Sequence, residues 1–193
     1  MNIKIGPHVY EIELTKDLVH NYKVINFRVD PASSTIHLNE AYRPDYNLFR
    51  AVCWIISEQI GFGDVEIDAF SAALFGFLYD NIGLFNYTEK DQVIVAGVGY
   101  DIEIVENLTL ESSSCSGVCN YAEQVISLNK DLKGSQREET ILHECVHAII
   151  EQYLFSEIDV EEFVHRFSNY FYMVIIDNKE YFKDFNLWSA ERE

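Results

Sequence analysis

His143, Glu144 and His147 stand together in 138-EETILHECVHAIIEQY-153. Two histidines four residues apart on a helix lie on one face, about one turn from each other. Their imidazoles can then share one metal ion. Glu144 sits on the flank of that face, where it can take a proton from a water without being a ligand. This is the H-E-x-x-H arrangement of zinc hydrolases. Zn2+ accepts imidazole nitrogen readily and acidifies a bound water toward about pH 7. The helix around the motif is apolar: Ile141, Leu142, Cys145, Val146, Ala148, Ile149 and Ile150 mark it as buried on most sides. Polar groups in such a helix need partners. A metal ion supplies them, and a buried network with neighbouring carboxylates is the simpler alternative.

A catalytic zinc needs a third protein ligand and an open fourth position. The metzincin extension is lacking, so the ligand must come from the following segment, 157-EIDVEEFVHRFSNYFY-172. Glu161 and Glu162 are the candidates. His165 lies one turn after Glu161 and is a further candidate, as ligand or as a partner behind the ligands. An ordinary first-turn carboxylate, favoured by the helix dipole, accounts for one of the two glutamates. Tyr121 and His165 are candidates to stabilise a developing oxyanion. Cys115 and Cys119 form a C-x-x-x-C without a second pair and read as unrelated strand cysteines. Cys145 reads as packed on the apolar side of its helix.

The elements that position these residues occur twice. At a shift of 90, Tyr10, Ile12, Glu13, Leu18, Ala32, Ile36, Leu38 and Asn39 recur as Tyr100, Ile102, Glu103, Leu108, Ala122, Ile126, Leu128 and Asn129. The helical regions end alike, in 79-YDN-81 and 176-IDN-178. Each copy reads as short strands followed by two helices, so the fold class is α+β with two tandem copies of a small sheet plus two helices. Residues 1–88 form the first copy and residues 89–193 the second, with the boundary in the polar 86-NYTEKDQ-92. The first copy carries Cys53, Trp54 and Ser57 where the second has His143, Glu144 and His147, so it cannot bind metal in the same way. In the second copy, strands are expected over 93–98, 100–105, 117–122 and 124–129. A helix follows with Ser135 as N-cap and Glu138 completing a capping box. A second helix runs over about 160–177. In the first copy Pro44 opens a helix to about Ile60, and another covers about 65–79. The aromatic tail 180–190 is expected to pack on the body.

The second copy resembles the ImmA/IrrE-type zincin-like metallopeptidases of phages and prophages. The resemblance rests on 97-GVGYDIEIVENL-108, 120-NYAEQVISLN-129, 139-ETILHECVHAII-150 and 161-EEFVHRFSNYFYMVIIDN-178. It implies a zincin-like fold whose edge strand holds an extended peptide beside the active helix. It implies Zn2+ on His143, His147 and Glu161, with Glu144 as general base. The substrate would be a protein or peptide of host or phage origin.

The chain is strongly acidic, with a formal net charge of −18, which argues against direct nucleic-acid binding. Its start shows no signal-peptide core and no run is long enough to span a membrane, so the cytoplasm is the expected compartment. The charge also supports a second reading, an acidic binding or inhibitor protein (a decoy or DNA mimic) on a zincin-like scaffold with a vestigial site. Self-pairing of the two copies into a pseudo-dimer is expected of a duplicated domain that inherits an isologous contact, and a homo-oligomer is a further candidate state.

Overall fold

The computed structural model describes residues 1–62, 67–85, 92–153, 160–185 and 187. The expected boundary between residues 88 and 89 lies outside them. The first half contains β1 (Asn2–Ile5), β2 (His8–Thr15), β3 (Val19–His20), β4 (Lys23–Val24), β5 (Phe27–Asp30), β6 (Thr35–Asn39), α1 (Pro44–Ile60) and α2 (Ile67–Asp80). The second contains β7 (Gln92–Val95), β8 (Val98–Val105), β9 (Thr109–Leu110), β10 (Ser113–Ser114), β11 (Gly117–Asn120), β12 (Val125–Asn129), α3 (Ser135–Gln152) and α4 (Val160–Asp177). A short α5 (Lys179–Phe182) and a 3-10 turn (Lys183–Phe185) follow. The class is α+β.

The two sheets have one topology. Their orders are β1-β2-β6-β5 and β7-β8-β12-β11, each with a parallel central pair and antiparallel outer pairs. The registers agree at a shift of 90: Glu11 faces Thr35 as Asp101 faces Val125, and Phe27 faces Leu38 as Gly117 faces Leu128. Each half also carries a two-stranded hairpin, β3-β4 and β9-β10, which periodicity does not announce.

Helices form where the 3.6-residue apolar period predicts. Pro44 is in the first turn of α1, and the helix stops at Gly61, whose φ of 86° only glycine adopts without strain. The start of α3 differs from expectation. Gly134, not Ser135, precedes the first turn, and no side chain caps it. The Gly134 carbonyl takes the N–H groups of Arg137 and Glu138 instead. At φ 51° and ψ −129° that position requires glycine, which pushes Ser135 into the helix. The expected start of the second helix of the first half at residue 65 lies outside the described residues, as do the parts of the tail beyond residue 185 other than Leu187.

One apolar cluster runs through both halves. It joins Ile3, Ile5 and Phe49 from the first half to Phe163, Phe167 and Phe171 from the second. In the tail, Phe182, Phe185 and Leu187 are buried against this body. The Phe182 ring lies 5.9 Å from Phe171.

The strands β1 and β7 lie at the outer edges of their sheets, and each is held by the other half. Asn81, at the end of α2, accepts the Ile94 N–H of β7 at 2.8 Å and donates to the Ile94 carbonyl at 2.7 Å. Asn178, after α4, accepts the Lys4 N–H of β1 at 2.8 Å and donates to the Lys4 carbonyl at 2.7 Å. Lys4 and Ile94 are themselves 90 residues apart. The arrangement is reciprocal, like a two-fold contact between protomers.

No helix among the described residues is long and apolar enough to cross a membrane.

Candidate metal centre

The centre is built by α3 and α4, with β11 as its wall. Helical spacing stacks His143 over His147, and their Nε2 atoms lie 3.1 Å apart. Glu161, in the first turn of α4, reaches both: Oε1 lies 3.7 Å from His143 Nε2 and Oε2 lies 3.1 Å from His147 Nε2. A tetrahedral ion with ligands at about 2.0–2.1 Å separates those ligands by about 3.3–3.4 Å. The three distances bracket that value, so the donor set fits an ion. Among the described residues these three form a group able to hold a metal.

Ser168 selects the tautomer of His143. Its hydroxyl donates to the Val164 carbonyl at 2.7 Å and lies 3.3 Å from His143 Nδ1. With the hydroxyl proton committed to Val164, the oxygen accepts Nδ1–H. The lone pair of His143 is left on Nε2, facing the centre. His147 Nδ1 is buried without a partner among the described residues, so that ring is held by packing and by Nε2.

Burial pushes the pKa of His143 down to about 4, helped by the neighbouring His147 and opposed by Glu161. Burial also lowers that of His147. Both rings are therefore neutral ligands at neutral pH. The histidine side chains are 17% and 11% exposed, whereas Glu161 is 73% exposed. The centre is thus reached from the side of Glu161, through a cavity of about 640 Å³.

Glu144 is not in the converging set. It is buried under β11, 5% exposed. Burial pushes its pKa up to about 8, with a contribution from the Glu161 charge, while the Cys119 backbone N–H donates to the carboxylate and works against the rise. The same alternation that brings Asn129 N–H to the Ser116 carbonyl turns the Val118 amide toward β12 and those of Gly117 and Cys119 outward. The open edge of β11 therefore borders the cavity.

These opposite shifts make the metal-free chain pH-sensitive. Glu144 binds its proton more tightly folded, at about 8, than at its ordinary 4.5, so its contribution is full below 4.5 and is lost as pH rises toward 8. His143, depressed below its ordinary 6.5, contributes fully above 6.5 and loses that contribution as pH falls toward 4. Between about pH 6.5 and 8 the Glu144 effect remains. In chelator, unfolding free energy should fall by about 2 kcal/mol across that window and stay level in Glu144→Gln. A level wild-type profile by urea titration would remove the buried-carboxylate account.

The other predicted residues are placed as follows. Glu162 pairs with Arg166 at 2.6 Å, an i,i+4 pair on the surface of α4. His165 is exposed and lines the cavity, its ring centroid 6.2 Å from that of His143. Tyr121 lines the cavity just past β11. No disulfide joins the four cysteines among the described residues: Cys115 and Cys119 line the cavity, and Cys53 and Cys145 are buried. Burial pushes the Cys119 thiol up to about 12. Ser168, Gly117 and the hairpin residue Leu110 belong to the surroundings of the centre and were not singled out by the sequence pattern.

No family model matches the chain, and no curated protein or solved structure matches it either.

Proposed function

We propose that the chain is a zinc-dependent peptidase of the zincin-like class, acting on a protein or peptide of host or phage origin in the cytoplasm. The observation that carries this reading is the convergence of His143, His147 and Glu161 beside a buried Glu144 that ligates nothing. When bound, a zinc ion supplies Lewis-acid polarisation and acidifies water toward about pH 7. The chain's own groups do the rest. The outward amide groups of Gly117 and the Cys119 carbonyl accept an extended substrate as an added strand. Glu144, in its ionised form, takes a proton from the attacking water as its oxygen bonds to the scissile carbon, and delivers that proton to the departing amine nitrogen as the C–N bond breaks. His165, on α4, and Tyr121, just past β11, both line the cavity and would donate to the developing oxyanion.

We also read the two halves as an internal duplication whose first copy keeps the scaffold without the centre. The common register shift of 90 and the reciprocal Asn81 and Asn178 contacts support this.

The test is metal content per chain, by elemental analysis of protein purified without chelator, with His143→Ala as control. About one zinc per chain, lost in the control, is expected. An absence of metal in a well-folded wild type, with an equally well-folded control, would sink the peptidase reading. It would favour an acidic binding protein.

A further inference from the structure

Gly117 opens β11 directly above α3. A β-carbon built there would lie 2.5 Å from Glu144 Oε1, 2.8 Å from Glu144 Cγ and 2.8 Å from Thr140 Cγ2. Real β-carbons do not come this close to other heavy atoms, and the obstruction is not the free end of a surface chain. Glu144 is buried at 5% exposure, so its side chain has no solvent to swing into. The helix and strand therefore approach to a distance that only glycine permits.

The first half is an internal control. Phe27 opens β5 as Gly117 opens β11, and faces Leu38 as Gly117 faces Leu128. At the shift of 90, Trp54 replaces Glu144 and Arg50 replaces Thr140. The Arg50 guanidinium lies 5.3 Å from the Phe27 ring centroid and pairs with Asp68 at 2.5 Å. In this half a ring and an ion pair stand in the groove between strand and first helix, beside a smaller cavity of about 340 Å³. In the second half the groove is open, and a carboxylate rises into the room a missing side chain leaves.

We infer that Gly117 is a positioning residue: its lack of a side chain is what seats the Glu144 carboxylate against β11, in reach of a water beside His143 and His147. This rests on the peptidase reading for its catalytic consequence, but the contact itself can be tested without metal or substrate.

The experiment is a mutant cycle with two readouts. In chelator, Gly117→Ala should lower the melting temperature by about 3–10 °C, as overpacking does. The same change made in a Thr140→Ser, Glu144→Ala background should lower it by less than about 1 °C, because the obstructing atoms are gone. Equal losses in the two backgrounds would overturn the inference. In the zinc-loaded chain, Gly117→Ala should lower kcat about 100-fold on a peptide the wild type cleaves, with KM and zinc content unchanged. Unchanged kcat, or a loss entirely in KM, would also overturn it. Coupled melting temperatures with a zinc-loaded wild type that cleaves no member of a random peptide library would remove the peptidase reading. Gly117 would then be mere clearance for a buried structural carboxylate, and its positioning role would fall with that reading.

Discussion

Glu144→Gln should lower peptide hydrolysis by about 10³-fold while leaving zinc content unchanged. The amide has the shape of the carboxylate and fits the same room under Gly117. It adds no bulk and no charge to that buried place, so the local structure survives. What it cannot do is hold a proton taken from water and give it to an amine. The ligand set is untouched, because Glu144 lies outside the group formed by His143, His147 and Glu161. The variant should also be more stable than wild type above neutral pH, since it removes a carboxylate that burial penalises when charged. Zinc content with kinetics on a cleaved peptide checks both halves. Lost metal would make Glu144 a ligand, and retained hydrolysis would make it a structural carboxylate.

The parts legible in the sequence are those with a strong period or a strong chemical pattern. α1, α3 and α4 follow from their apolar spacing, and His143 with His147 follows from H-E-x-x-H. The paired strands follow from the repeat at 90, since a shared register leaves matching residues at matching places. The hairpins β3-β4 and β9-β10 were not legible. Their turns place Asn21, Tyr22, Glu111 and Ser112 at positive φ, between 49° and 70°, without a glycine to mark them. The third ligand was not decidable from spacing. Glu161 and Glu162 are neighbours, and only the direction of α4 turns one toward the histidines and the other toward Arg166. Ser168 was hidden because a small residue on the buried face of a helix reads as packing. Gly117 does carry a signal: a glycine within a strand marks close approach by another group. The N-cap of α3 was misplaced because Ser135 and Glu138 form a good capping pattern, but the preceding glycine's backbone conformation decides where the helix begins.

The reciprocal asparagines should matter most for stability. Asn81→Ala should destabilise the chain by about 2–5 kcal/mol in urea titration, and Asn178→Ala by about 1–2 kcal/mol. Asn81 is fully buried and uses its whole amide, donating to Phe77 and Ile94 carbonyls and accepting the Ile94 N–H. Alanine would leave both polar backbone groups of Ile94 unpaired at the edge of its sheet, and each such group costs about 1–3 kcal/mol when buried. Asn178 makes the same contacts to Lys4, but in a more exposed place where water replaces part of what is lost. The difference between the two losses therefore measures burial at constant chemistry. There is a further consequence. Each amide occupies an outer strand edge that would otherwise be open to another chain, and each does so from the opposite half. Asn81→Ala should thus loosen the second sheet from the helices of the first half, and unfolding followed by near-ultraviolet circular dichroism and by far-ultraviolet circular dichroism should cease to coincide. Coincident transitions with a loss below about 1 kcal/mol would mean that the shared aromatic core, through Phe49, Phe167 and Phe171, joins the halves without help from the clamps.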